Sequence, residues 1–226
     1  MIVTRLAEIR RRIDAACRRA GRDPRQVRLL AVSKRQDEAR VRAAVAAGQR
    51  LFGENYLQEA AARIARFGRG ELSWHFIGHL QSNKAAQAAE LFDMVETVDR
   101  VRIMAALDKR CGALGRTLDI LLQVNVGREG QKSGVLPEEA EELARAAAQF
   151  PALRLRGLMT MPPFADEPEA SRPHFRALAE LAGELRPLFA DPGHIELSMG
   201  MSADFEIAVE EGATIVRVGT LLFGER

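Results

Sequence analysis

The order of its elements constrains this chain more than any single motif. Short apolar runs alternate with longer stretches of helical period along the sequence. The first stretch, "VTRLAEIRRRIDAACRRAG", spaces Val3, Leu6, Ile9, Ile13 and Cys17 along one helical face and stops at Gly21. A strand is predicted over 27–33, a helix over 38–47 closed by Gly48, a second strand at "RLFGEN" and a helix over 57–67. "SWHFIG", "DMVETV", "LDILLQVNV", "LRLRGLMTM", "HIELSMG" and "TIVRVG" read as further strands. The helices between them cover 85–91, a stretch ending at Arg110, a stretch opening on Pro137 as an N1 proline, 174–185, and 202–211 with Ser202 as N-cap. About eight strands alternating with about eight helices predict parallel strands joined by helical crossovers.

Two architectures satisfy that alternation. An open doubly wound sheet places a Gly-rich loop after its first strand, whereas the loop here is "SKRQDE", without glycine. A closed (β/α)₈ barrel fits both the strand count and, at the short end, the length of 226 residues. The expected fold is therefore α/β: one barrel domain over 1–226 with an extra N-terminal helix. No Pro/Gly/Ser linker marks a second domain.

Composition narrows the class. A net charge of +2 gives no reason to expect nucleic acid, and Arg10-Arg11-Arg12 reads as a solvated helix face. The two cysteines, Cys17 and Cys111, form no CxxC, which points away from a disulfide framework or a metal site and toward a reducing compartment. No apolar run is long enough to span a bilayer, and the N-terminus lacks the apolar core of a signal peptide. A cytoplasmic, monomeric protein is expected.

In barrels of this kind the chemistry sits at the C-terminal ends of the strands. The first strand ends "LLAVSK". Leu30, Val32 and Lys34 share one face, so an inward face would bring the Lys34 amine to the rim among apolar neighbours. Desolvation there disfavours the ammonium form, and a neutral amine can react with an aldehyde; the alternative is a lysine reaching for solvent. Lysine is scarce in this chain: Lys34, Lys84, Lys109 and Lys132 stand against a total of 33 basic residues. Arginine can replace a generic surface lysine, but its guanidinium cannot lose a proton and attack a carbonyl.

Arg217 lies inside the last strand, where an unpaired guanidinium is costly. It must meet a ligand, a polar network or a structural partner such as Glu54 or Glu196. Gly219 and Thr220 follow it, and "LSMGMSAD" supplies Ser198, Met199 and Ser202 around Gly200. Together these two loops make a credible phosphate cup. An aldehyde-seeking lysine, a phosphate cup and an arginine at one barrel mouth suggest pyridoxal 5′-phosphate (PLP).

The segments "LLAVSK", "FGENYLQE", "WHFIGHLQSNK", "LLQVNVGREGQKSG", "RGLMTM" and "HIELSMGMSADFEIAVEEGATIVRVGTLLFG" closely resemble the pyridoxal phosphate homeostasis proteins, the YggS/PROSC family. The likeness runs from about residue 29 to the end. It implies the barrel of the alanine racemase N-terminal domain. It implies that Lys34 carries PLP as an internal aldimine, that Asn55 lies near the ring, and that Arg217 lies near the pyridine nitrogen. Ser198, Met199, Ser202, Gly219 and Thr220 match the phosphate-binding segments. His79, Asn83, Lys84 and Lys132 fall in family segments without an assigned role. The implied function is storage, buffering or delivery of PLP in vitamin B6 homeostasis, with apo PLP enzymes as possible recipients. The alternative is a racemase-like enzyme of weak activity. Against it, an arginine beside the ring nitrogen gives a poor electron sink, and the single tyrosine, Tyr56, is not an evident opposing base.

Overall fold

The computed structural model describes residues 1–224; the expected domain's last residues, 225 and 226, lie outside the described residues. α1 (Ile2–Arg19) precedes the barrel. Strand then alternates with helix: β1 (Arg28–Val32), α2 (Glu38–Ala46), β2 (Leu51–Glu54), α3 (Leu57–Phe67), β3 (Ser73–Phe76), α4 (Ala85–Leu91), β4 (Met94–Val98), α5 (Val101–Ala113), β5 (Leu118–Gln123), α6 (Ala140–Ala147), β6 (Leu153–Met159), α7 (Arg172–Glu184), β7 (Glu196–Ser198), α8 (Phe205–Glu210) and β8 (Ile215–Val218), with a single turn, α9 (Thr220–Phe223), at the end. The strands are parallel and close in sequence order, with β8 pairing back onto β1 through Arg28↔Ile215 and Leu30↔Arg217. The expected closed barrel and N-terminal helix are both present.

Strand alternation divides the core into two layers. Leu30, Leu51, Ile77, Met94, Leu121, Met159 and Ile215 fill the barrel interior. Outward-facing residues such as Phe52, Trp74 and Phe76 pack beneath the helices, and Phe52 stacks on Trp74 with ring centroids 5.2 Å apart. Phe52 and Phe223 are thus core residues. With both faces covered, strands such as β4 are buried throughout.

α1 buries Leu6, Ile9, Ile13, Ala16 and Cys17 along one stripe, the face its spacing predicts. Arg10 and Arg11 on its other side are exposed, while Arg12 forms a two-pronged pair with Glu206 of α8 at 3.1 and 2.7 Å. The first helix is thereby fastened to the last part of the barrel.

One helix start differs from expectation. α8 begins at Phe205, not at Ser202. Asp204 organises the preceding turn: its carboxylate accepts the Met201 N–H at 2.7 Å and the Ser171 hydroxyl at 2.9 Å. Residues 201–204 are therefore loop, and Ser202 is left at the barrel mouth instead of capping the helix.

Candidate functional site

A cavity of about 390 Å³ opens at the C-terminal end of the barrel, within the size range of small-molecule sites. Lys34, Asn55, Ser202, Arg217, Gly219 and Thr220 all line it. Met161, Pro163 and Phe164, from the loop after β6, and Met201 supply apolar walls. Two residues expected at the site lie elsewhere: Ser198 and Met199 are fully buried and do not line this cavity.

Lys34 sits on a turn just beyond β1, half-buried. Arg35 holds φ at 56°, a left-handed conformation that is strained for a side chain of this size. α3 supplies the restraint. Arg63 donates to the carbonyls of Ser33 at 2.8 Å and Gln36 at 3.0 Å, and Glu59 accepts the Arg35 N–H at 3.0 Å. Asp37 then caps α2 through the Arg40 N–H at 2.8 Å. The turn bearing Lys34 is therefore held at both ends, by residues that sequence reasoning missed. Glu59 and Arg63 are one helical turn apart, a spacing that marks a shared face without revealing what the face grips.

Beneath that turn lies Glu54. Its Oε1 accepts the Ser33 hydroxyl at 2.6 Å and lies 3.2 Å from Arg63 Nε, while Oε2 has no hydrogen-bond partner. Burial pushes this carboxyl above its ordinary range despite the opposing pull of Arg63 and Ser33.

Arg217 crosses from the interior into the cavity. Nη1 donates to Ser198 Oγ at 2.7 Å and Nη2 to the Thr160 carbonyl at 2.7 Å. Ser198 Oγ in turn donates to Glu96 Oε2 at 2.5 Å, and Glu96 Oε1 meets His75 Nδ1 at 2.6 Å. The acidic partner of Arg217 is thus Glu96, reached through Ser198, and neither Glu54 nor Glu196. Glu54 faces α3, and Glu196 pairs with Arg28 at 2.6 Å. Burial alone would raise the Glu96 carboxyl, but His75, Arg217 and Ser198 outweigh it and hold Glu96 below its ordinary range. Burial pulls the Arg217 guanidinium down, against the charges of Glu96 and Asp204.

Thr220 Oγ1 donates to Ser202 Oγ at 3.2 Å, so the loops after β7 and β8 bring two hydroxyls together beside Gly219. Gly200 makes this approach possible. Its φ is +86°, and a Cβ there would come within 2.5 Å of the Ala208 methyl. Asn55 Oδ1 is buried without a hydrogen-bond partner.

The family-segment residues lie outside this cavity. His79 and Lys84 line a neighbouring hollow with Tyr56. His79 Nδ1 lies 3.0 Å from Ser133 Oγ, and Lys132 ties two loops by pairing with Glu129 at 2.5 Å and donating to the Pro162 carbonyl at 2.8 Å. Among the described residues no cluster of His, Cys, Asp and Glu suits a metal ion, and no helix is long and apolar enough to cross a membrane.

Comparison with known proteins bears on the fold and the family. The model of the alanine racemase N-terminal domain matches residues 4–226. The pyridoxal phosphate homeostasis protein of Pseudomonas aeruginosa is 48% identical over 225 residues, covering 100% of this chain and 96% of that protein. Its counterpart in Escherichia coli K12 is 45% identical over 229 residues, covering 100% and 97%. The structure of PipY of Synechococcus elongatus with PLP bound superposes with a TM-score of 0.85 at 38% identity, covering 99% of this chain and 100% of that one. A D-threonine aldolase from Filomicrobium marinum, at 20% identity, shares the fold with a TM-score of 0.70 over 94% of this chain and 59% of its own. The chain belongs to the pyridoxal phosphate homeostasis protein family, built on the alanine racemase N-terminal barrel.

Proposed function

We propose that this protein binds PLP at Lys34 and serves as a carrier in vitamin B6 homeostasis, buffering the cofactor or delivering it to apo enzymes. The observation that carries this reading is the convergence of Lys34, Arg217 and the Ser202–Thr220 hydroxyl pair on one cavity. When bound, PLP supplies an aldehyde for the Lys34 amine, a phosphate for hydroxyl and backbone donors, and a ring nitrogen that can accept a hydrogen bond. The residues fit that group. The fixed turn around Lys34 presents its amine, Ser202, Gly219 and Thr220 offer donors to the phosphate, and Arg217 presents a guanidinium to the ring. The buried, unpartnered Asn55 Oδ1 provides a further polar contact within the cavity.

The carrier reading rests on what the cavity offers for proton transfer. Besides Lys34 and Arg217, the titratable group among its described lining residues is Asp204, whose carboxylate already accepts from Met201 and Ser171. Tyr56 lines the neighbouring hollow, where Arg35 lies over its ring at 5.6 Å. An opposing acid or base for removing a Cα proton is therefore missing from the described walls. Free, buried Cys17 and Cys111 fit a reducing compartment, which we take to be the cytoplasm. We also take the protein to act as a monomer.

Two measurements test the reading together. Amino acids incubated with PLP-loaded protein in deuterated water should show negligible exchange at Cα and no loss of chirality. Loaded protein mixed with an apo PLP enzyme, with a trap for free cofactor present, should restore that enzyme's activity. Racemisation at ordinary enzymatic rates, on the order of 1–10³ s⁻¹, would overturn the carrier assignment.

A further inference from the structure

The barrel interior holds a buried chain of polar side chains beneath the cavity. His75 on β3, Glu96 on β4, Ser198 on β7 and Arg217 on β8 are each no more than 3% exposed. They are linked by contacts of 2.6, 2.5 and 2.7 Å. His75 lies two residues from the interior side chain of Ile77, Glu96 from Met94 and Arg217 from Ile215, and Ser198 is in register with interior Met159 and Ile215 on the strands beside it. All therefore face the barrel axis. A chain of ionisable groups is an expensive way to fill a space that leucine and isoleucine fill elsewhere in the same barrel. Its one outlet to the cavity is Arg217.

We propose that Glu96 and Ser198, braced by His75, are positioning residues that aim the Arg217 guanidinium at the cofactor ring and supply its counter-charge. This rests on PLP being the ligand at Lys34. Ser198 occupies the gap between guanidinium and carboxylate, donating to one and accepting from the other, so its task is to orient Arg217 and not to hold phosphate. The Thr160 carbonyl fixes the second guanidinium nitrogen. With these two donors committed, the direction of Arg217 is set before any ligand arrives. Glu96 sets the local potential as well. The charged and titratable groups that face it or the cavity are His75, Arg217, Asp204 and Lys34. Removing its charge leaves the cavity floor more positive, which disfavours protonation of any group bound above.

The test uses the full chain loaded with PLP and reads the cofactor's visible absorption as pH is varied. Wild type, Glu96→Gln, Ser198→Ala and Glu96→Asp are compared, with Glu196→Gln as the control for a buried carboxylate that pairs with Arg28 away from the cavity. Borohydride reduction and peptide mapping run in parallel. Glu96→Gln should keep the label on Lys34 while its absorption midpoint moves down by about 1 pH unit, the size expected for one unit charge lost at several ångströms. Ser198→Ala should change the absorption envelope with a smaller shift of midpoint, Glu96→Asp should recover part of the wild-type value, and the control should not move. If Glu96→Gln does not fold, Ser198→Ala decides. Unchanged spectra and midpoints in the folded variants, with Lys34 labelled, would overturn the inference while leaving PLP binding intact. Absence of label in the wild type would instead overturn the binding reading, and the inference with it.

Discussion

Lys34, Arg217 and Thr220, which line one cavity, stood out in the sequence because each breaks a local rule: a charge ending or interrupting an apolar strand, a hydroxyl just after a glycine. Glu96 and His75 did not. In "DMVETV" and "SWHFIG" they look like ordinary polar members of half-buried strands, and Glu96 reaches Ser198 across 102 positions of sequence. A carboxylate sharing a face with Met94 was a usable signal, since an inward charge requires a partner, but nothing local names that partner. Ser198 sits differently from its expected place for a related reason: it does not line the cavity and accepts from Arg217 instead. Its position at a strand end suggested the cup, whereas its face of the strand points to Arg217. The cup itself makes a residue-scale prediction. Thr220 and Ser202 hydroxyls meet at 3.2 Å, and either can turn toward an anion. Replacing both with valine should weaken PLP far more than pyridoxal. Each lost bond to a charged group is worth roughly 1.5–3 kcal/mol, or about 10- to 150-fold. Equal losses for the two ligands, measured by equilibrium titration, would place the phosphate elsewhere.

Among the elements, boundaries were legible where side chains specify them locally. Pro137 opens the turn before α6, as its place in the sequence indicates. The start of α8 was not legible: Ser202 read as its cap, whereas Asp204, engaged by Ser171 from a distant turn, organises residues 201–204 as loop. The grip of α3 on the Lys34 turn belongs to the same class, and it carries a pH signature. Glu54 holds its proton to higher pH in the folded chain than its ordinary value of 4.5. For such a group the stabilising contribution is complete below the unfolded pKa and is lost as pH rises through the folded one. Glu54→Gln, which cannot ionise, should therefore gain stability relative to the parent as pH increases from about 4.5 toward neutrality. Any constant cost of leaving Arg63 without its carboxylate offsets the two curves without changing this trend. Denaturant titrations at several pH values would show it; a difference that is flat, or that grows in the parent's favour, contradicts the assignment.

The molecule as a whole is closed at a seam. β1 and β8, the first and last strands, pair through Arg28↔Ile215, Leu30↔Arg217 and Ala31↔Val218, and α1 lies over that region, tied to α8 by Arg12–Glu206 and by Arg19–Glu210 at 2.6 Å. Lys34 emerges from one side of the seam, and Arg217, Gly219 and Thr220 from the other. A ligand held by both sides joins the two ends of the barrel, so its binding energy opposes unfolding of the entire structure and not of one loop. The alternation of strands and helices made the closed barrel legible, but the position of the site across its closure became visible only with the register. The consequence is measurable. A ligand that binds only the folded state at 100 times its dissociation constant adds about 2.7 kcal/mol. For a chain of this size, about 2–4 °C per kcal/mol converts that to a rise of about 5–11 °C in Tm. Calorimetry should show one transition, moving upward as a unit when PLP is added at that ratio. Lys34→Ala, at the same PLP concentration, should keep the single transition and lose most of the rise. A separate transition for part of the barrel, or a Tm that PLP leaves unchanged in the parent chain, would show that the two sides of the seam are not joined by the ligand.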